Sequence, residues 1–227
     1  MKVLIACEES QAVCKAFREK GHKAFSCDIL ECSGGHPEWH IKQDCIPLLN
    51  GNCIFETMDG KSHKISGRGD LIIAHIPCTY FSNATNVNLG RKDYPEIFNE
   101  AWKKRFFEKR EYMYKFFLKV WNSNCERIAI ENVIGWLSTN FRKPTQIIQP
   151  FMFGQPYRKA TCLWLYNLPK LKPTKIIEPT CKWVKHNLKT KDDLKGYQKK
   201  GVYSARERSK TFEGIAKAMA EQWGNEK

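Results

Sequence analysis

Long hydrophobic runs are missing from these 227 residues, and so is any excess of acid. No apolar stretch approaches the roughly 20 residues that cross a bilayer, and Met1-Lys2-Val3-Leu4-Ile5 passes quickly into polar Glu8-Glu9-Ser10. Neither a membrane segment nor a signal peptide is expected. Ten cysteines without a secretory signal point to reduced thiols in a cytoplasm rather than to a disulfide framework. The shortage of acid, 24 Asp and Glu against 38 Lys and Arg, leaves a net charge of +14. Such a balance favours a polyanionic partner, nucleic acid first. Glycine is absent before Gly21, so the loop after the first strand cannot be a glycine-rich phosphate cradle, and Glu8 and Glu9 would repel phosphate there.

What is present suits a globular chain. With 42% hydrophobic residues and seven tryptophans, one large domain spanning residues 1–227 can bury a core. Lys2 to Cys7 reads as a strand, Ser10 as the N-cap of a helix carrying Ala12, Val13, Ala16 and Phe17, and Gly21 as its stop. Lys23 to Asp28 reads as a second strand ending in an acid. This strand, loop, helix, strand, acid order is the first half of a dinucleotide-like α/β fold, in which the acid suits a ribose diol. Cys27, Cys32, His36 and His40 have the residue types of a zinc site. Cys27 lies inside a strand, however, and Ser33-Gly34-Gly35 is a turn, so no metal is assigned. Met58-Asp59-Gly60-Lys61, between strand-like flanks, predicts a hairpin.

Two later stretches carry chemistry. Asp70 to Ala74 is a short apolar strand, after which Pro77 forbids further pairing and presents Cys78 just past the carboxyl end, where open α/β sheets bind ligands. Arg127 to Val133 is a second such strand ending in Glu131 and Asn132. Parallel strands of this kind can bring a nucleophile and an acid to one cleft. Asn83 to Gly90 reads as a polar loop, and Pro95 to Asn122 as a long helix whose many aromatics pack in the core. Ala160 to Leu165 predicts a further strand. Ser209 is expected to cap a last helix, Thr211 to Trp223, with Ile215, Ala216, Met219 and Ala220 on one face. Between Arg158 and Lys210 there are fifteen Lys and Arg against four Asp and Glu. With Trp183, Tyr197 and Tyr203 interleaved, that segment can neutralise phosphates and stack on bases.

Pro77-Cys78 with Phe81-Ser82, then Glu131-Asn132-Val133, then Phe153-Gly154-Gln155-Pro156-Tyr157-Arg158 resemble, in order and approximate spacing, the DNA cytosine-5 methyltransferase family. The resemblance implies a Rossmann-like S-adenosylmethionine-dependent methyltransferase fold, a mostly parallel sheet with flanking helices. It implies Cys78 as the covalent nucleophile, Glu131 as the group holding the base, and Arg158 as its anchor. It also implies a cofactor pocket of Cys7, Glu8, Ser10, Asp28 (ribose), Asp44 (adenine side) and Pro77, completed by the last helix, and a substrate-closing loop after Cys78. The chain departs from the family in two places. Its first loop lacks the glycine-rich pattern, and a basic insertion of residues 175–206 stands where a large target-recognition domain belongs.

The expected activity is methyl transfer to C5 of cytosine in DNA. Two alternatives remain open: RNA, a free nucleotide or another one-carbon donor in the same site, and a non-catalytic nucleic-acid-binding relative acting against restriction or defence. The small size suggests, by analogy, a phage-encoded or mobile-element protein working in a bacterial cytoplasm.

Overall fold

The computed structural model describes residues 1–89, 99–179, 181–182 and 209–225. Its first unit is β1 (Lys2–Ala6), α1 (Ala12–Glu19) and β2 (Lys23–Asp28), followed by a short β3 (His40–Lys42). A separate hairpin of β4 (Cys53–Glu56) and β5 (Ser62–Ile65) leads into β6 (Gly69–His75) and α2 (Asn83–Leu89). The long α3 (Glu100–Trp121) returns the chain to β7 (Cys125–Val133), and α4 (Leu137–Asn140) precedes β8 (Gln146–Ile148). A two-residue β9 (Tyr157–Arg158), β10 (Thr161–Tyr166), β11 (Cys181–Lys182) and α5 (Glu213–Trp223) complete the described elements.

Seven strands form one sheet in the order β3-β2-β1-β6-β7-β10-β8. Neighbours run parallel from β3 through β7, whereas β10 is antiparallel to both β7 and β8. The protein is thus α/β, with a mostly parallel sheet covered by helices on both faces.

The apolar runs of the central strands are continuous because both faces are buried. Val3, Ile5, Leu71, Ile73, Ala129 and Leu163 meet α1 and α5 on one face. Ala6, Ile72, Ala74, Ile128, Ile130 and Trp164 meet Phe117 and Val120 of α3 on the other. Residues Ile215, Ala216, Met219 and Ala220 of α5 are buried as their spacing predicts.

Four local expectations change. Ser10 does not cap α1: the chain turns through left-handed Cys7 and Gln11, at φ 58° and 59°, and the Glu8 carboxylate accepts from the amides of Val13 (2.6 Å) and Cys14 (3.2 Å) instead. Residues 83–89 are helical, because the Ser82 hydroxyl accepts from the Thr85 amide and starts a turn that α2 continues. Helix α3 begins at Glu100, where Asn99 caps it by accepting from the Trp102 amide, and residues 95–98 lie outside the described residues. Helix α5 begins at Glu213, and its N-cap residue is Phe212 rather than Ser209. Most of the basic insertion, including Trp183, Tyr197 and Tyr203, also lies outside the described residues.

Candidate active site

Strand order reverses between β1 and β6, and the crevice beyond the carboxyl ends at such a switch point is the usual ligand position in an open α/β sheet. Two loops border it, residues 7–11 after β1 and residues 76–82 after β6.

In register on adjacent strands, His75 and Glu131 end β6 and approach the end of β7. His75 Nδ1 lies 3.2 Å from Glu131 Oε2, with little of either side chain exposed. Burial alone would neutralise both groups. Burial lowers the His75 pKa, but the hydrogen bond and charge of Glu131, with help from Glu8, outweigh it and leave the imidazole above its ordinary value. Burial likewise raises Glu131, but the His75 hydrogen bond and the charges of Lys159 and His75 reverse that and hold the carboxyl below the usual range. The two directions agree: each group favours the charged form of the other. Thr211 Oγ1 stands 3.5 Å from His75 Nδ1, and His75 Nε2 has no hydrogen-bond partner among the described residues.

Cys78 follows three residues later, opening a single 3-10 turn with Pro77 before it. The residue is exposed. That turn is tied to the Glu131 strand by several contacts. Asn132 Nδ2 donates to the Ile76 carbonyl (2.8 Å), the Trp136 amide donates to the Phe81 carbonyl (2.8 Å), and Ser82 bridges to Gly135. Gly135 is required by this close approach, since a Cβ there would overlap the Phe81 carbonyl oxygen. From the other side the buried Arg110 of α3 donates its Nε to the Tyr80 carbonyl (2.8 Å) and Nη2 to Asn86 Oδ1. Its guanidinium also lies over Phe106, 4.5 Å from the ring centre. Cys78 and Glu131 therefore share one rim of the sheet, with Pro77 at the base of the turn.

A small cleft opens beside Glu131, lined by Lys159, Thr161, Thr211 and Phe212 among others. Arg158 is not part of it. Successive side chains of extended chain point to opposite sides, so Arg158 faces solvent while Lys159 borders the cleft and acts on Glu131 by charge. The basic group whose charge acts on Glu131 is Lys159, the neighbour of the arginine expected to anchor the base.

Around the first loop the expected residues have varied surroundings. Glu8 is buried, and burial pushes its carboxyl up against the pull of His75 and of the Val13 and Cys14 amides. Hydrogen bonding with Cys45, followed by burial, pushes the Cys7 thiol well up, so it is a poor nucleophile. Ser10 is half-buried under the 33–36 turn. There Gln11 exchanges hydrogen bonds with the His36 backbone (2.8 and 3.0 Å), and a Cβ on Gly34 would fall 2.6 Å from the Ser10 carbonyl oxygen. Asp28 accepts from the Leu30 amide (2.9 Å), and beside it Ile29 and Leu30 are exposed. Asp44 is exposed and accepts from the Ile46 amide (2.9 Å).

Among the described residues no cluster of His, Cys, Asp and Glu could hold a metal ion. Both ring nitrogens of His40 are occupied, by Ser26 Oγ (2.8 Å) and the Leu30 carbonyl (2.9 Å), and His36 stacks on Trp39.

Sequence reading gave no site role to His75, Arg110 or Thr211, and set Lys159 aside in favour of Arg158. Only His75 left a signal, as the one polar side chain at the end of an apolar strand next to Cys78. None of the described helices is long and apolar enough to cross a membrane. No family model matches the chain, and no curated protein matches it.

Proposed function

We propose that the protein is a methyltransferase that transfers a methyl group from S-adenosylmethionine to C5 of cytosine in DNA through a covalent adduct with Cys78. The observation that carries this reading is the exposed Cys78 on a turn stitched to the strand of Glu131, whose carboxyl pairs with His75 and borders a small cleft.

Cytosine C5 is too weak a nucleophile to take a methyl group unaided. Cys78, open to solvent, loses its proton and its thiolate adds to C6; the C5=C6 pair moves toward C4 and N3, and C5 gains electron density. Glu131 holds the N3 and exocyclic amine edge, stabilising charge as the adduct forms. Lys159 adds a cation on the same side, and Arg110 and Gly135 fix the turn that aims the sulfur. After C5 has taken its new substituent, its proton leaves to water and the Cys78 thiolate is eliminated. A cytosine in duplex DNA must be flipped out before Cys78 reaches C6, at a cost of a few kcal/mol. The +14 charge favours the polyanion that presents it.

S-adenosylmethionine, when bound, supplies an electrophilic methyl on a sulfonium. The crevice suits it chemically: Asp28 offers a carboxylate for the diol, exposed Ile29 and Leu30 offer apolar faces for adenine, and the first loop presents no phosphate cradle, which this cofactor does not need. One feature favours a second reading, a different one-carbon donor in the same crevice. Glu8 is taken up by the α1 amides, and the 33–36 turn packs over Ser10. Calorimetry with S-adenosylmethionine separates the two readings, with heat of binding expected under the first and none under the second.

The test is mass analysis of DNA nucleosides from cells expressing the protein. 5-Methylcytosine with wild type and none with Cys78→Ala is the expected result. Equal amounts in both, or none in either, would defeat the proposal.

A further inference from the structure

We propose that His75 is the proton reservoir behind Glu131: its Nδ1 proton is relayed through the Glu131 carboxyl to N3 of the base as the Cys78 thiolate adds to C6. This inference deepens the reading above and rests on it.

The need arises from the chemistry of addition. When sulfur bonds to C6, the C5=C6 pair becomes the C4=C5 pair and the C4=N3 pair becomes a lone pair on N3. That nitrogen must take a proton for a neutral adduct to form. Glu131, its carboxyl held below the usual range, can as a carboxylate accept from the exocyclic amine but has no proton to give. His75 supplies what is missing. The Nδ1–H bond breaks as Oε2–H forms on Glu131, and the carboxyl proton passes to N3. On elimination of the thiolate the N3 proton returns by the same route, so His75 ends as it began and no electrons are gained or lost.

Geometry limits the route. His75 Nδ1 has two neighbours among the described residues, Glu131 Oε2 at 3.2 Å and Thr211 Oγ1 at 3.5 Å. Its Nε2 is buried without a partner. The proton therefore has two contacts of hydrogen-bonding length toward the cleft, and the shorter one runs through the carboxylate. The charged groups acting on the ring are Glu131 from β7, Glu8 from the loop after β1, and Lys159 from the segment before β10. The two acids keep the ring charged, while Lys159 opposes them and eases release of the proton. Thr211, just before α5, offers Nδ1 an alternative contact once the proton has left. His75 touches no reacting atom in this scheme and is a positioning and proton-supplying residue.

The test follows exchange of the cytosine C5 hydrogen with deuterated water, which reports thiolate addition and reversal without any methyl donor. Wild type and His75→Gln are compared across pH, because glutamine keeps a donor toward Glu131 but cannot titrate. The expected wild-type rate falls through one ionisation above 6.5. His75→Gln should lose that ionisation and exchange about 10²-fold more slowly, at the low end of general acid–base effects, with KM for DNA little changed. An unchanged rate and pH profile in His75→Gln overturns the relay and leaves the proposed function standing. A wild type that neither exchanges C5 hydrogen nor forms 5-methylcytosine overturns both. Nitrogen-15 NMR of the wild type needs no variant: a doubly protonated His75 ring near neutral pH supports the relay, and a neutral ring refutes it.

Discussion

Gly135→Ala asks whether the Cys78 turn and the Glu131 strand form one mechanical unit. In the structure the Phe81 carbonyl accepts from the Trp136 amide at 2.8 Å, and Ser82 bridges to Gly135. A Cβ at residue 135 would overlap that carbonyl oxygen, lying 3.1 Å from its carbon and 3.3 Å from the Asn83 nitrogen. Ordinary carbon–oxygen contacts sit at about 3.3–3.6 Å, so the turn must retreat by on the order of 1 Å. Overpacking of this kind costs about 1–3 kcal/mol, and a lost buried hydrogen bond about 1–3 kcal/mol more. A combined loss of about 3 kcal/mol corresponds to a Tm decrease of roughly 6–12 °C for a chain of this size. A displacement of about 1 Å in a reacting group can cost on the order of 10² in rate. The proposed methyl transfer should therefore fall about 10²-fold in kcat at a temperature where the variant is still folded. The assay pairs a urea melt with labelled methyl incorporation into DNA. Wild-type stability together with wild-type kcat would refute the argument that these two loops are rigidly joined.

Other substitutions probe separate parts of the account. Glu8→Ala removes the cap of α1 and strands the Val13 and Cys14 amides, which should cost about 2–3 kcal/mol in a urea melt. Arg110→Met keeps a long apolar stem but releases the Tyr80 carbonyl and Asn86, so the Cys78 turn should become more susceptible to proteolysis while the remote β4–β5 hairpin does not. Lys159→Ala should weaken methyl transfer more than Arg158→Ala, because only Lys159 borders the cleft. Stability should also depend on pH through the buried pair. The raised His75 contributes fully below its unfolded value of 6.5 and loses that contribution as pH rises through the folded value. The depressed Glu131 contributes above 4.5 and loses its contribution as pH falls through the folded value. Glu8, raised by burial, adds to the decline as pH climbs from 4.5. The urea midpoint should fall on the alkaline side of 6.5, and less steeply in His75→Gln.

The parts of the fold legible in sequence were those set by local pattern. The runs ending at His75 and Glu131 are apolar on both faces and could only be central strands, so their polar ends had to emerge at the sheet's carboxyl rim. The hairpin at Met58 to Lys61 was equally clear from its turn residues. What stayed hidden depends on groups distant in sequence or on which side of the chain faces inward. Ser10 has the right chemistry for a cap, but left-handed Cys7 and Gln11 swing Glu8 onto the amides instead. The Asn83–Leu89 helix is poor in strong helix formers and borrows its order from Ser82 and Arg110. The resemblance singled out Arg158, and only the fold shows that its neighbour Lys159 lines the cleft beside Glu131.

Covalent capture tests the central claim most directly. With DNA carrying 5-fluorocytosine, C5 has no proton to release after methyl transfer, so the thiolate cannot be eliminated and the adduct persists. The account predicts, in the presence of S-adenosylmethionine, a protein–DNA species whose mass is the sum of both partners plus one CH2, a methyl gained and the thiol proton lost, with the link on the peptide containing Cys78. No such species, or a link to any of the other cysteines, would contradict it.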